Sequence, residues 1–156
     1  MWLAHIAAGL SIGSYTDSLE SFLLANAFHH LPSVYQLIVD TGLVKKEFHD
    51  GELHTPFFAF VVAAITALFS WKYALLALIS IGTHLIMDLP TDTGLMLLYP
   101  FSRSRFTLNL WKNTGGWGLK TFYKQKWAII LEIPVWLFFF YRLTIALVYA
   151  LYSRIL

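Results

Sequence analysis

The chain has 156 residues, enough for one domain around one core, and no break in composition marks a second. Hydrophobic residues make up 58% and charged residues 13%, with Phe, Trp and Tyr together at 17% and a net charge of +2. That is too apolar for an ordinary soluble surface, so the chain is expected in a membrane or pressed into one. There is no cysteine, which excludes disulfides and thiolate metal sites and leaves His, Asp, Glu and water as ligands for any metal.

In chain order, "MWLAHIAAGLSIG" has no cationic leader and carries His5, so it reads as a retained apolar segment rather than a signal peptide. "TDSLE" sets Asp17 three residues before Glu20, a capping box predicted to open a helix through Leu31. Pro32 suits the first turn of a further helix, and Thr55 with Pro56 make a similar start. Pro56 to Ser70 and Tyr73 to Leu89 are almost wholly apolar, with "WK" between them as a turn, and predict a helical hairpin. Its first arm is about 22 Å long, short of the roughly 30 Å hydrocarbon core, so a full crossing is not required of it. Residues 127 to 156 are long enough to span, although Glu132, Pro134 and Arg142 are expected to kink or split that helix.

Residues 101 to 126 hold Arg103, Arg105, Lys112, Lys120, Lys124 and Lys126, no acidic residue, and interleaved aromatic rings. Such a segment fits the headgroup level of an anionic, cytoplasmic leaflet, with membrane lipid as partner. A solvated basic loop is the plainer alternative, and the surrounding apolar helices argue against a nucleic-acid patch.

Two polar stretches stand out. "GTHLIMDLPTDTG", residues 82 to 94, places His84 and Asp88 four apart on one helical stripe, where an apolar setting makes both costly to bury without a shared partner. "HDGELHT", residues 49 to 55, precedes the first arm of the hairpin. An antiparallel hairpin returns His54 to the level of His84 and Asp88, and a fold-back at "SYTD" brings His5 level with His29 and His30. Imidazoles with carboxylates and no thiolate suit a divalent metal, zinc first, with manganese or iron as alternatives. Five to seven candidate ligands exceed one tetrahedral site and suit two ions acting in hydrolysis.

Each residue also has a plainer reading. A lone His5 in an apolar helix is more often a hydrogen-bonded core residue, and His49 a solvated loop residue. Glu52 is favoured near a helix start by the dipole, Asp92 in "PTDTG" by the turn, and His29 and His30 by an interface.

With these residues in view, the first two thirds of the chain resembles the inner-membrane-bound, metal-dependent hydrolases of the LexA-binding, inner membrane-associated type. In that family an N-terminal His is followed by H-R-G-x-T-H-S, by G-x-x-H-x-x-x-D, and by a downstream Gly and P-F-S. His5, "HDGELHT", "GTHLIMD", Gly94 and "PFSRSRF" resemble those pieces in order, with the His-x-x-x-Asp spacing kept and Gly82 one residue nearer to His84. The resemblance implies that His5, His54, His84 and Asp88 are metal ligands with His49 close by. Two departures stand: Asp50 replaces the usual arginine, and the family's P-D-x-D is absent around "HHLPSVY". Either His29 or His30 supplies that ligand, or one metal position is missing. A more distant similarity to zinc-dependent phospholipase C implies phosphodiesters as a substrate class.

The expected protein is therefore an all-α, membrane-embedded or membrane-associated bundle carrying a metal-dependent phosphoester hydrolase. Glu52 or Asp92 would accept a proton from water, and Arg103 and Arg105 would pair with phosphate oxygens. Two rivals stand beside it: a non-catalytic membrane protein with one structural metal that binds a partner or anionic lipid, and a transporter using His and Asp as an ion path. The latter needs oligomerisation to gather enough helices.

Overall fold

The computed structural model describes residues 2–40, 51–112 and 119–152. They form α1 (Trp2–Gly13), α2 (Leu19–Asp40), α3 (Pro56–Ala67), α4 (Trp71–Asp88), the single turn α5 (Leu119–Phe122) and α6 (Lys126–Tyr152), with no strand among the described residues. The all-α expectation holds.

Small residues set how closely the helices approach. Ala4, Ala7, Ala8 and Ser11 line the buried face of α1. A Cβ at Gly9 would meet Asn26 Oδ1 at 3.0 Å and His29 Cβ at 3.5 Å, so this glycine lets α2 come in beside α1. Gly13 ends α1 against Phe22, whose ring would lie 2.7 Å from an added Cβ. The turn then reverses the chain. Ser18, one residue later than the expected cap, takes the Ser21 amide at 3.1 Å, leaving Glu20 free to accept from Tyr73 Oη at 2.6 Å.

The predicted break at Pro32 is not there: α2 continues to Asp40 with Pro32 inside it. A proline costs the helix one internal hydrogen bond. Here the ring is fully buried, and residues on either side of it, His29 and Ser33, are tied to α4, so packing holds the helix through the gap. α6 likewise runs unbroken past Glu132, Pro134 and Arg142. Thr55 caps α3 through the Phe58 amide at 3.1 Å, as its sequence suggests. The turn to α4 uses Leu68 to Ser70; Trp71 and Lys72 already belong to the helix, because Ser70 is its cap.

Registers follow from long-range hydrogen bonds. α2 and α4 run parallel, since Glu20 meets Tyr73, His29 meets Ser80 and Ser33 meets His84. α1 and α6 also run parallel: Tyr123 Oη, just before α6, accepts the Leu3 amide and donates to Glu132, and Arg142 donates to Ser14. One apolar cluster joins Ala4 and Ala8 to Met87, Trp111, Phe122 and Ala128, and a second joins Ala59 to Ile81, Leu85 and Leu95. α4 contributes to both, so its remaining stripe, His84 and Asp88, lies where α1, α2, α3 and α4 meet.

After α4 the chain leaves the bundle and returns. Leu95 and Phe106 exchange backbone hydrogen bonds at 2.8 and 2.9 Å, and Leu108 and Leu110 donate to the carbonyls of Leu89 and Pro90. Gly94 sits in this pairing at φ +66°, where a Cβ would be 2.8 Å from the Phe106 carbonyl oxygen. Much of the outer surface is apolar, including Phe57, Phe60 and Ile65 on α3 and Leu137, Phe138 and Phe140 on α6. α6, with 27 residues, is long and apolar enough to cross a membrane, whereas α1 and α3 are shorter apolar helices.

Candidate metal centre

Five side chains converge at the pole where α1, α3 and α6 begin and α4 ends. His5 Nδ1 lies 3.1 Å from His29 Nε2, and His5 Nε2 lies 3.1 Å from Asp88 Oδ1. The other carboxylate oxygen, Oδ2, is 3.2 Å from His84 Nε2 and 3.6 Å from His54 Nε2. The triangle closes with 3.4 Å between the His54 and His84 Nε2 atoms. His5, His29 and His84 are buried, while Asp88 and His54 keep 22% and 14% of their side-chain surface open, so the cluster is reached from the His54 side.

Two ligand groups result, His5 with His29 and His84, and His54 with His84 and Asp88. In the second, the three edges of 3.2, 3.4 and 3.6 Å match one face of a tetrahedron. Ligands about 2.0–2.1 Å from a zinc ion are about 3.3 Å apart in that geometry. The donor set therefore fits a divalent ion and leaves a fourth corner for a small ligand. His84 makes all of these contacts through Nε2, which is also 3.4 Å from Ser33 Oγ. Because both groups use His84, two ions would need both of its ring nitrogens or a ligand from elsewhere.

Protonation follows the surroundings. Burial first, then the neighbouring imidazoles of His5, His84 and His30, push His29 down to about 2, so it is neutral at physiological pH. Its Nδ1 faces the Ser80 carbonyl at 3.0 Å and must carry the proton there, which leaves a lone pair on Nε2. His84 is lowered chiefly by burial and then by His5, against the pull of Asp88. Burial would raise Asp88, but His5 and His84 outweigh it and hold the carboxyl well below its usual range. A neutral His29 and an ionised Asp88 are protonation states that metal ligation needs.

The other expected residues lie nearby in different roles. His30, lowered by burial and His84, stacks edge-on against His29 at 5.2 Å and belongs to neither candidate ligand group, whereas His29 belongs to one. His49 lies outside the described residues. Glu52 pairs with Arg103 at 3.8 Å at the exposed rim. Arg105 Nη1 donates to the carbonyls of Thr93 and Gly94 at 3.2 and 3.4 Å, and exposed Asp92 holds the loop through its amide to Trp111. Ser33 was not anticipated: its Oγ is 3.4 Å from His84 Nε2. The available signal was its place one helical turn after His29.

The described residues thus form a helical protein with one helix long and apolar enough to cross a membrane and a His/Asp cluster that could hold a metal ion. The chain belongs to the YdjM inner membrane protein family, whose family model matches residues 3–154. No curated protein and no solved structure matches it.

Proposed function

We propose that the chain is an inner-membrane, metal-dependent hydrolase of phosphoesters whose ion is held by His54, His84 and Asp88. The observation that supports it is the tetrahedral face formed by those three ligand atoms, two of which, on Asp88 and His54, belong to side chains that are partly open to solvent. Zinc suits this nitrogen-rich set better than calcium or magnesium. His5 holds Asp88 by its second oxygen, and with His29 it either orients that carboxylate or contributes to a second ion. A bound divalent ion supplies Lewis acidity toward water and a phosphoryl oxygen.

The chain's own groups do the rest. Arg103 and Arg105, on the loop after α4, would pair with phosphoryl oxygens. Glu52, 3.8 Å from Arg103, or Asp92 would take the proton of the attacking water. A second reading, one structural ion, draws support from the depth of His5, His29 and His84. The active pole is expected at the cytoplasmic face.

The test is hydrolysis of an aryl phosphodiester and of phospholipid vesicles by protein refilled with zinc or manganese. Activity should vanish with a chelator, rise with pH through neutrality, and fall by about 100-fold or more in His54→Ala with little loss of folding. Wild-type protein with full metal occupancy that cleaves neither substrate better than His54→Ala and His84→Ala would leave only the structural ion.

A further inference from the structure

We infer that the excursion from Leu97 to Leu110 is a second membrane contact, separate from α6, which seats the rim of the metal cluster on an anionic lipid surface. The loop is held at its base and apolar at its tip. Leu95, Met96 and Trp111 are buried, and the backbone pairs Leu95 with Phe106, Leu89 with Leu108 and Pro90 with Leu110. Beyond that frame Phe101 is 96% exposed, Leu98 68%, and Phe106 and Leu108 50% each. A fastened loop cannot fold these side chains away, and water penalises them where they stand.

Charge selects the occupant. Arg103 and Arg105 follow Phe101 and precede Phe106, and no acidic residue lies between Leu97 and Lys126. Glu52 shares Arg103 at the rim, but both side chains are largely open to solvent, so that pairing is weak. Guanidinium groups set between aromatic rings match the headgroup layer of an anionic bilayer, with rings among the upper acyl carbons and guanidinium groups on phosphates.

Position agrees with charge. The Lys112 amide donates to Gln125 Oε1 at 2.7 Å and Gln125 Nε2 donates back to the Lys112 carbonyl at 2.9 Å. The end of the loop is thereby pinned to the residue before α6, the point where a spanning helix enters the bilayer. Tyr99 packs on Phe57 with ring centroids 5.8 Å apart, which ties the tip to the first turn of α3, next to His54. The contact and the cluster rim thus face the same leaflet.

The chain has no cysteine, so a single Phe101→Cys variant can carry an environment-sensitive fluorophore without competition. Full-length protein in nanodiscs containing about one third phosphatidylglycerol should show the probe quenched by lipids brominated on their acyl chains and shielded several-fold from aqueous iodide. Reversing both charges (Arg103→Glu with Arg105→Glu) or using neutral phosphatidylcholine alone should move it back toward water. Leu98→Cys gives the same reading should the first variant misfold. A probe open to iodide and untouched by bromine overturns the inference, as does quenching indifferent to both lipid charge and charge reversal. Shielding that persists in lipid-free amphipol points to a second protein chain and overturns it too. The readout involves neither metal nor turnover, so it stands or falls apart from the hydrolytic reading.

Discussion

At the residue scale the cluster is governed by which nitrogen holds a proton. His29 gives its Nδ1 proton to Ser80 and presents a lone pair to His5, while His5 faces an Asp88 oxygen on its other side. Lone pairs that converge here would be settled by a bound cation. Replacing either His84 or Asp88 with Ala should therefore lower metal content and thermal stability together. An ion present at about 1,000 times its dissociation constant stabilises the fold by about 4 kcal/mol. Unchanged metal stoichiometry in both variants would reject shared ligation. Without metal, His29 sets a pH dependence. Its folded value of about 2 lies below the ordinary 6.5, so the unfolded chain binds the extra proton. Stability is then full above pH 6.5 and falls by about 1.4 kcal/mol per unit as pH drops below it. His84 and His30, lowered by burial in the same direction, add to it, so thermal melts of chelated protein from pH 7 to 5 should show at least that slope, and His29→Gln should reduce it without abolishing it. His84 and Asp88 were legible in the sequence because four residues make one helical turn. Ser33 and the choice of His29 over His30 were not, since they depend on the rotation of α2 against α4.

At the element scale, α1 is clamped at both ends by groups of the sign its dipole favours. Acidic Glu132 lies by its N-terminal turn through Tyr123, and Arg142 meets the Ser14 carbonyl at 2.9 Å with its guanidinium 3.7 Å from the Tyr15 ring centre. The expected disruptors of α6 are thus its attachments to α1, a role invisible without knowing which helix lies alongside. Burial, then the hydrogen bond to Glu132, pushes the Tyr123 hydroxyl up to about 12, so it stays a donor. Tyr123→Phe leaves buried Glu132 without that donor and should cost about 1–3 kcal/mol, read as a lower melting temperature with metal content retained. The hairpin of α3 and α4 was legible from its caps and apolar runs. The excursion after Asp88 was not, because it has no periodicity and is fixed by backbone pairing. Gly94→Ala tests that pairing: a left-handed φ and a backbone oxygen 2.8 Å from the new Cβ should together cost about 1–3 kcal/mol. A melting temperature equal to wild type would show that the loop is not fastened there.

At the scale of the whole molecule, α6 supplies a ruler for the bundle. Its 27 residues are about 40 Å long, more than the roughly 30 Å hydrocarbon core. Arg142 is sixteen residues beyond Lys126, about 24 Å along the helix, and there it meets the turn that carries Asp17. A bilayer entered at Lys126 and Trp127 therefore puts the polar turn near its far side and the His/Asp cluster near the near side. Five basic side chains mark that near side, Arg103, Arg105, Lys112, Lys124 and Lys126, all exposed. Positive residues next to a spanning helix are retained in the cytoplasm, so this pole is expected to face inward. A lone cysteine at Lys124 reports it directly, because the chain has no native thiol and Lys124 is exposed just ahead of α6. An impermeant maleimide should leave the Lys124→Cys variant unlabelled in intact cells and label it rapidly in inverted membrane vesicles. Labelling from outside intact cells would place the cluster on the opposite face, where a substrate would have to come from the outer leaflet or the space beyond it.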